Sequence, residues 1–112
     1  MEGSMPVTVK SGFVDGCQVL VVEGELDMDD APVLDAAIDA CPDEIPLVVD
    51  LTSVTFIDST GIHTLLRERE TGRPAAVVRA PDSNVARVLD IVDARGTLPV
   101  FDDLDAARSA LG

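Results

Sequence analysis

An acid, two hydroxyls and a glycine follow directly on an apolar run in Val54-Thr55-Phe56-Ile57-Asp58-Ser59-Thr60-Gly61-Ile62. Several chemistries use such residues, and each makes further demands on the chain. Asp-Ser-Thr-Gly spells the loop of an aspartic protease, whose reaction needs two carboxylates sharing one proton. The tetrad occurs once and leads into a helical pattern, which argues against that use. A nucleophilic Ser59 would need an oriented base and donors for an oxyanion. There is no G-x-S-x-G elbow, and His63, the sole histidine, has no recognisable third group to orient it. One histidine among scattered acids forms no transition-metal pattern either, so His63 reads as a surface or packing residue. Neither G-x-x-x-x-G-K-[ST] nor G-x-G-x-x-G is present, and the single lysine, Lys10, lies far from any phosphate loop. ATP binding by this chain, a catalytic residue set, a cofactor and a metal are therefore not expected. What the tetrad can do is start a helix. An oxygen of Asp58, Ser59 or Thr60 accepts from an otherwise unpaired amide, and Gly61 lets the backbone turn closely. Capping is compatible with a second role, because free amides and the helix dipole favour a phosphate added to Ser59.

The composition narrows the partners. Across 112 residues, 21 acids against 8 bases give a formal charge of -13, which repels nucleic-acid backbones and anionic lipid. Phe13, Phe56 and Phe101 are the only aromatics, too few to stack on nucleobases. The acids gather in Asp27, Asp29, Asp30, Asp35, Asp39, Asp43 and Glu44, and again in Asp102, Asp103 and Asp105. They suit solvated helix faces and first turns, and equally a surface that steers a basic protein partner. An apolar content of 46% is enough to fold one domain despite the charge. Apolar runs fall short of a bilayer span and the first twenty residues lack a targeting pattern. Cys17 and Cys41 lack the paired spacing of a metal site and read as buried or semi-buried free thiols. A cytoplasmic protein without membrane contact is expected.

Alternating signals supply the elements that must position Ser59. Residues 1–6, with two methionines among small and polar residues, are expected to be a flexible N-terminus resembling an expression remnant and are given no structural role. Val7 to Lys10 and Cys17 to Glu23 flank Asp15-Gly16 and predict an antiparallel hairpin. Carboxylates and Pro32 then mark a helix start, with Val33, Ala37, Ile38 and Cys41 at helical spacing and Pro42 as the stop. Leu47 to Leu51 reads as a central strand covered on both faces. Ile62, Leu65 and Leu66 form one side of a second helix, ending near Thr71-Gly72. Ala75 to Val78 predicts a strand, and Pro81-Asp82-Ser83 opens a third helix with the stripe Val85, Val88, Leu89 and Val92. Leu98 to Phe101 gives a last strand, and Asp102 or Asp103 starts a helix carrying Leu104, Ala107 and Leu111. Strand-helix alternation needs right-handed crossovers. The expected fold is thus α/β, with a mixed, mostly parallel sheet, an N-terminal hairpin and about four helices.

Three segments resemble the STAS domain family, and within it the bacterial anti-anti-sigma factors, or anti-sigma factor antagonists. They are Gly24-Glu25-Leu26-Asp27, the run VVDLTSVTFIDSTG from Val48 to Gly61, and APDSNVARVLDIVDARG followed by PVFDDLDAA. The resemblance spans residues 7–111 and implies a single STAS domain there. It places the regulatory phosphorylation site on Ser59, with Asp58, Thr60 and Gly61 around it and Asp27 as a nearby acid that contributes to kinase recognition. It further implies partner switching. The dephosphorylated form binds an anti-sigma factor that is also a serine-protein kinase, freeing a sigma factor, and a PP2C-type phosphatase reverses the kinase. ATP and Mg²⁺ belong to that kinase. An alternative on the same fold is a phospho-switchable scaffold in another signalling complex. Thr60 stands where the family often has serine, placing a second hydroxyl beside the first, and Thr97 stands where an apolar residue is common.

Overall fold

The structure is a computed structural model that describes residues 6–70, 74–93, 96 and 98–111, with residues 68–70 described by backbone alone. Most of the N-terminal segment, the helix stop at Thr71-Gly72 and Thr97 lie outside the described residues. Strand β1 (Thr8–Val14) pairs antiparallel with β2 (Cys17–Leu26), closing from Val14 to Cys17 across Asp15-Gly16. Both turn residues have positive φ, +49 and +84, the hand that matches the twist of the strands they join. Strands β3 (Leu47–Ile57), β4 (Ala75–Val78) and β5 (Val100–Phe101) follow in spatial order, each parallel to the one before. Helices α1 (Ala31–Asp39), α2 (Ser59–Glu70), α3 (Asn84–Val92) and α4 (Leu104–Leu111) make the connections and the C-terminal cover. The expected mixed, mostly parallel sheet with an N-terminal hairpin and four helices is what the chain forms.

The sheet is covered unequally. Leu34, Ile38 and Cys41 of the α1 region, Ile62 and Leu65 of α2, and Val85 and Leu89 of α3 pack on one face over Leu20, Val22, Val49 and Val77. On the other face α4 sets Ala107, with Leu104 and Leu111 beside it, against Cys17, Val19, Val48, Ala76 and Val78. Central strands β3 and β4 therefore bury both faces where the helices cross them, which explains their near-continuous apolar runs. Arg108 pairs with Asp105 within α4 and fastens the helix, across the chain, to Asp15 in the hairpin turn. The hydrogen bond it donates to Asp105 and the charge of Asp15 hold its guanidinium pKa above the ordinary value, against the effect of desolvation.

Caps follow the sequence closely. Ser83 Oγ accepts from Ala86 N at 3.1 Å to open α3, and Asp103 Oδ1 accepts from Ala106 N at 2.7 Å to open α4. Cys17 and Cys41 are buried and in no disulfide, and the Cys41 thiol donates to Ala37 O at 3.3 Å.

Two features differ from the sequence reading. Strand β3 runs on from Leu51 to Ile57, because Val21 and Glu23 oppose Asp50 and Ser53, while Gly24 and Glu25 oppose Val54 and Phe56. Each offset inserts one extra residue into β3, and two such bulges convert an alternating pattern into a spacing of three. Leu51, Val54 and Ile57 are thereby all buried, while Thr52, Ser53, Thr55 and Phe56 are exposed. In α1 the inward stripe is Ala31, Leu34 and Ile38, so Val33 faces solvent.

Candidate functional site

Strands β2 and β3 end side by side. Leu26 pairs with Ile57, so the next residues, Asp27 and Asp58, leave adjacent parallel strands with backbones about 5 Å apart. The Asp58 amide donates to the Leu26 carbonyl at 3.3 Å, carrying the ladder one step past the strands. Each aspartate then shapes the loop that follows it, in the same way. Asp27 Oδ1 accepts from Asp29 N at 3.0 Å and Asp30 N at 3.1 Å. Asp58 Oδ1 accepts from Thr60 N at 3.0 Å and Gly61 N at 3.2 Å, which makes Asp58 the cap of α2. The turn that leads into α1 and the first turn of α2 thus start from one end of the sheet, each fixed by a carboxylate.

Ser59 and Thr60, the first two residues of α2, are both exposed, and Gly61 behind them is buried. The glycine is there for space. A Cβ at position 61 would stand 3.1 Å from Leu26 O, Leu26 Cγ and Ile57 Cγ1, tighter than ordinary contact, so the bare backbone lets α2 seat on the strand ends without displacing them. Gly24 makes room for a different neighbour, the backbone that enters β1: its φ is +106, and a Cβ would approach the Pro6 carbonyl oxygen to 2.6 Å. Farther along α2, buried Thr64 donates to Thr60 O at 3.3 Å, and Arg67 reaches across to Asp35 of α1 at 2.7 Å. That ion pair, which ties the two helices, has no local sequence signal because its partners are 32 residues apart. His63 lies on the exposed side of α2.

The arrangement brings Asp27, Asp58, Ser59, Thr60 and Gly61 to one end of the sheet. It presents a primary hydroxyl, Ser59, exposed on the first turn of a helix, next in the chain to Asp58, which leaves the strand beside the one that delivers Asp27. The amides of Thr60 and Gly61, expected to be free for a phosphate, are taken by Asp58 Oδ1. A group added to Ser59 therefore meets carboxylate charge without those two donors to neutralise it. Cavities of about 170 Å³ beneath the end of α1 and about 210 Å³ at the start of α3 are lined by other residues. Among the described residues, no three His, Cys, Asp or Glu side chains gather to hold a metal ion, and no helix is long and apolar enough to cross a membrane.

Comparisons with known proteins bear on the family and the fold. Residues 10–100 match the family described as "Mlab, STAS domain". An anti-sigma factor antagonist from Mycobacterium paratuberculosis is 32% identical and superposes with a TM-score of 0.83 over 96% of this chain and 97% of that one. A putative anti-sigma factor antagonist from Thermotoga maritima, 18% identical, shares the fold with a TM-score of 0.73 over 92% and 93% of the two chains. The Bacillus cell fate determinant SpoIIAA in its phosphorylated form, 13% identical, does so with a TM-score of 0.62 over 92% and 99%. No curated protein matches the chain.

Proposed function

The chain belongs to the STAS domain family, and from that premise we propose that it is an anti-sigma factor antagonist switched by phosphorylation of Ser59. With Ser59 unmodified, the protein docks on an anti-sigma factor that is also a serine kinase, and the sigma factor that partner held is released. The kinase, using its own ATP and Mg²⁺, transfers the γ-phosphoryl group to Ser59 Oγ as the hydroxyl proton leaves. The complex then comes apart, and a PP2C-type phosphatase restores the hydroxyl. The chain contributes no catalytic residue, cofactor or metal, and it acts as a cytoplasmic substrate and ligand.

The observation that supports this reading most directly is the placement of Ser59. Its hydroxyl is exposed at the start of α2, while neighbouring Asp58 has already claimed the Thr60 and Gly61 amides. A phosphate brings about -1.5 to -2 of charge. Set beside Asp58 and near Asp27, that charge has little to offset it within the chain and opposes any partner surface fitted to the neutral serine. A loss of roughly 3 kcal/mol at such a contact lowers affinity more than a hundredfold. Asp27 and Asp58 support the switch by holding the two loops, Gly61 by letting α2 seat, and Thr60 by fixing the turn through its amide. Thr60 is also exposed, so its hydroxyl is the internal competitor for the kinase.

The test is affinity capture from native cells with intact-mass analysis and phosphosite mapping, comparing wild type with Ser59→Ala. Recovery of an anti-sigma kinase together with phosphate on Ser59 is expected. Capture of an unrelated complex would move the protein to another signalling assembly. A chain without phosphate under both activating and repressing conditions would leave the tetrad as a helix cap alone.

A further inference from the structure

Building on the partner-switching reading, we infer that Met28 and Val33 are the apolar anchors by which the Ser59-reading partner grips this chain, within an acidic field that selects a basic partner surface. Among the described residues the large apolar side chains left exposed are Phe13, Met28, Val33, Phe56 and Ile91. Met28 is 67% exposed in the loop between β2 and α1, and Val33 is 44% exposed on the first turn of α1. Both sit at the end of the sheet that carries Ser59, because β2 delivers Asp27 beside Asp58.

Met28 is exposed on a loop that is held. Asp27 Oδ1 accepts from the two amides that follow Met28, and the Asp27 carbonyl accepts from Asp30 N and Ala31 N. A long apolar side chain on a fixed turn stays in water at a cost in solvation that docking recovers, and little further backbone entropy is lost on binding. Val33 stands exposed on the first turn of α1, a helix tied to α2 by the Asp35–Arg67 ion pair. Exposed apolar side chains of this kind add binding energy when a partner excludes water around them.

The charge around the anchors identifies the occupant. Residues 11–66 contain twelve acids and no lysine or arginine, and Asp27, Asp29 and Asp30 bracket Met28. A second copy of this chain would bring the same acids against themselves. A protein surface with an apolar recess rimmed by Lys or Arg satisfies both features, steering by charge and holding by burial.

The experiment is titration of the purified anti-sigma kinase with wild type, Ser59→Glu, Met28→Ala, Val33→Ala and Phe13→Ala. Phe13 is the control: it is 60% exposed but pairs with Gln18 at the other end of β2. Thermal melts identical to wild type would certify that the exposed-site variants fold. Met28→Ala and Val33→Ala should each raise Kd by roughly tenfold, a step of about 1.4 kcal/mol, while Phe13→Ala leaves it unchanged. Affinity for wild type should also fall as salt rises from 50 to 300 mM, values chosen to shorten the Debye length from roughly 14 to 6 Å. Loss of binding with Ser59→Glu but none with Met28→Ala or Val33→Ala would overturn the anchor assignment and leave the switch standing. Absence of binding by wild type would remove the switch reading and this surface with it.

Discussion

Replacing Asp58 separates its service as a helix cap from its charge. Its Oδ1 accepts two amide protons, from Thr60 at 3.0 Å and Gly61 at 3.2 Å, and these donors have no carbonyl partner in the first turn of α2. Asp58→Ala leaves both to solvent, and caps of this kind are worth about 0.5 to 2 kcal/mol. With two bonds lost at a half-buried position, about 1 to 2 kcal/mol is expected. For a domain of this size that corresponds to a fall in Tm of about 4 to 10 °C. Asp58→Asn keeps an oxygen in the same place and gives up the attraction between a carboxylate and the helix N-terminus, about 0.3 to 1 kcal/mol. The Asn variant should therefore melt between wild type and the Ala variant. Circular dichroism melts and urea transitions on the three proteins measure the order. An Ala variant that melts with wild type, or an Asn variant as unstable as Ala, would refute the assignment of Asp58 to capping.

Two further predictions rest on the same end of the sheet, and a third on the core. Gly24→Ala forces a side chain into φ +106 and a Cβ to 2.6 Å from Pro6 O, so it should cost about 2 kcal/mol or more, read as a lowered urea midpoint. Gly61→Ala gains up to about 1 kcal/mol of helix propensity but crowds Leu26 and Ile57, at about 1 to 3 kcal/mol. Crowding should win, giving a lower Tm and slower phosphorylation of a displaced Ser59; a variant at least as stable as wild type would show that the strand ends yield. Cys17 and Cys41, 4% and 7% exposed, should react with Ellman's reagent slowly in the native protein and rapidly in denaturant. Fast labelling of either thiol in the native state would contradict its burial.

The parts of this molecule most legible in its sequence are those governed by neighbours along the chain. Ser83 and Asp103 announce their helices because a cap and its amides lie within three residues, and Asp15-Gly16 announces the hairpin because few other residues tolerate both turn conformations. The stripe Val85, Leu89 is equally local. The second half of β3 is different. Its burial at Leu51, Val54 and Ile57 follows from where β2 lies beside it and from two bulges, and neither is written in β3 alone. Val33 was expected inward because it is apolar at helical spacing, yet Ala31 and Leu34 fill the buried positions that the sheet offers α1. At the site, the capping tetrad was visible as a local pattern. The approach of Asp27 to Asp58 came only with the pairing of Leu26 to Ile57, and the engagement of the Thr60 and Gly61 amides only with the orientation of one carboxylate. That last detail changes the physics of the proposed switch, since an added phosphate finds charge where free donors were expected.

The most direct test of the switch is to measure, by titration calorimetry, binding of the purified anti-sigma kinase to this chain unmodified and after stoichiometric phosphorylation at Ser59. A hundredfold or greater loss of affinity on phosphorylation, restored by phosphatase treatment, is the predicted result. Equal affinity of the two forms would contradict it.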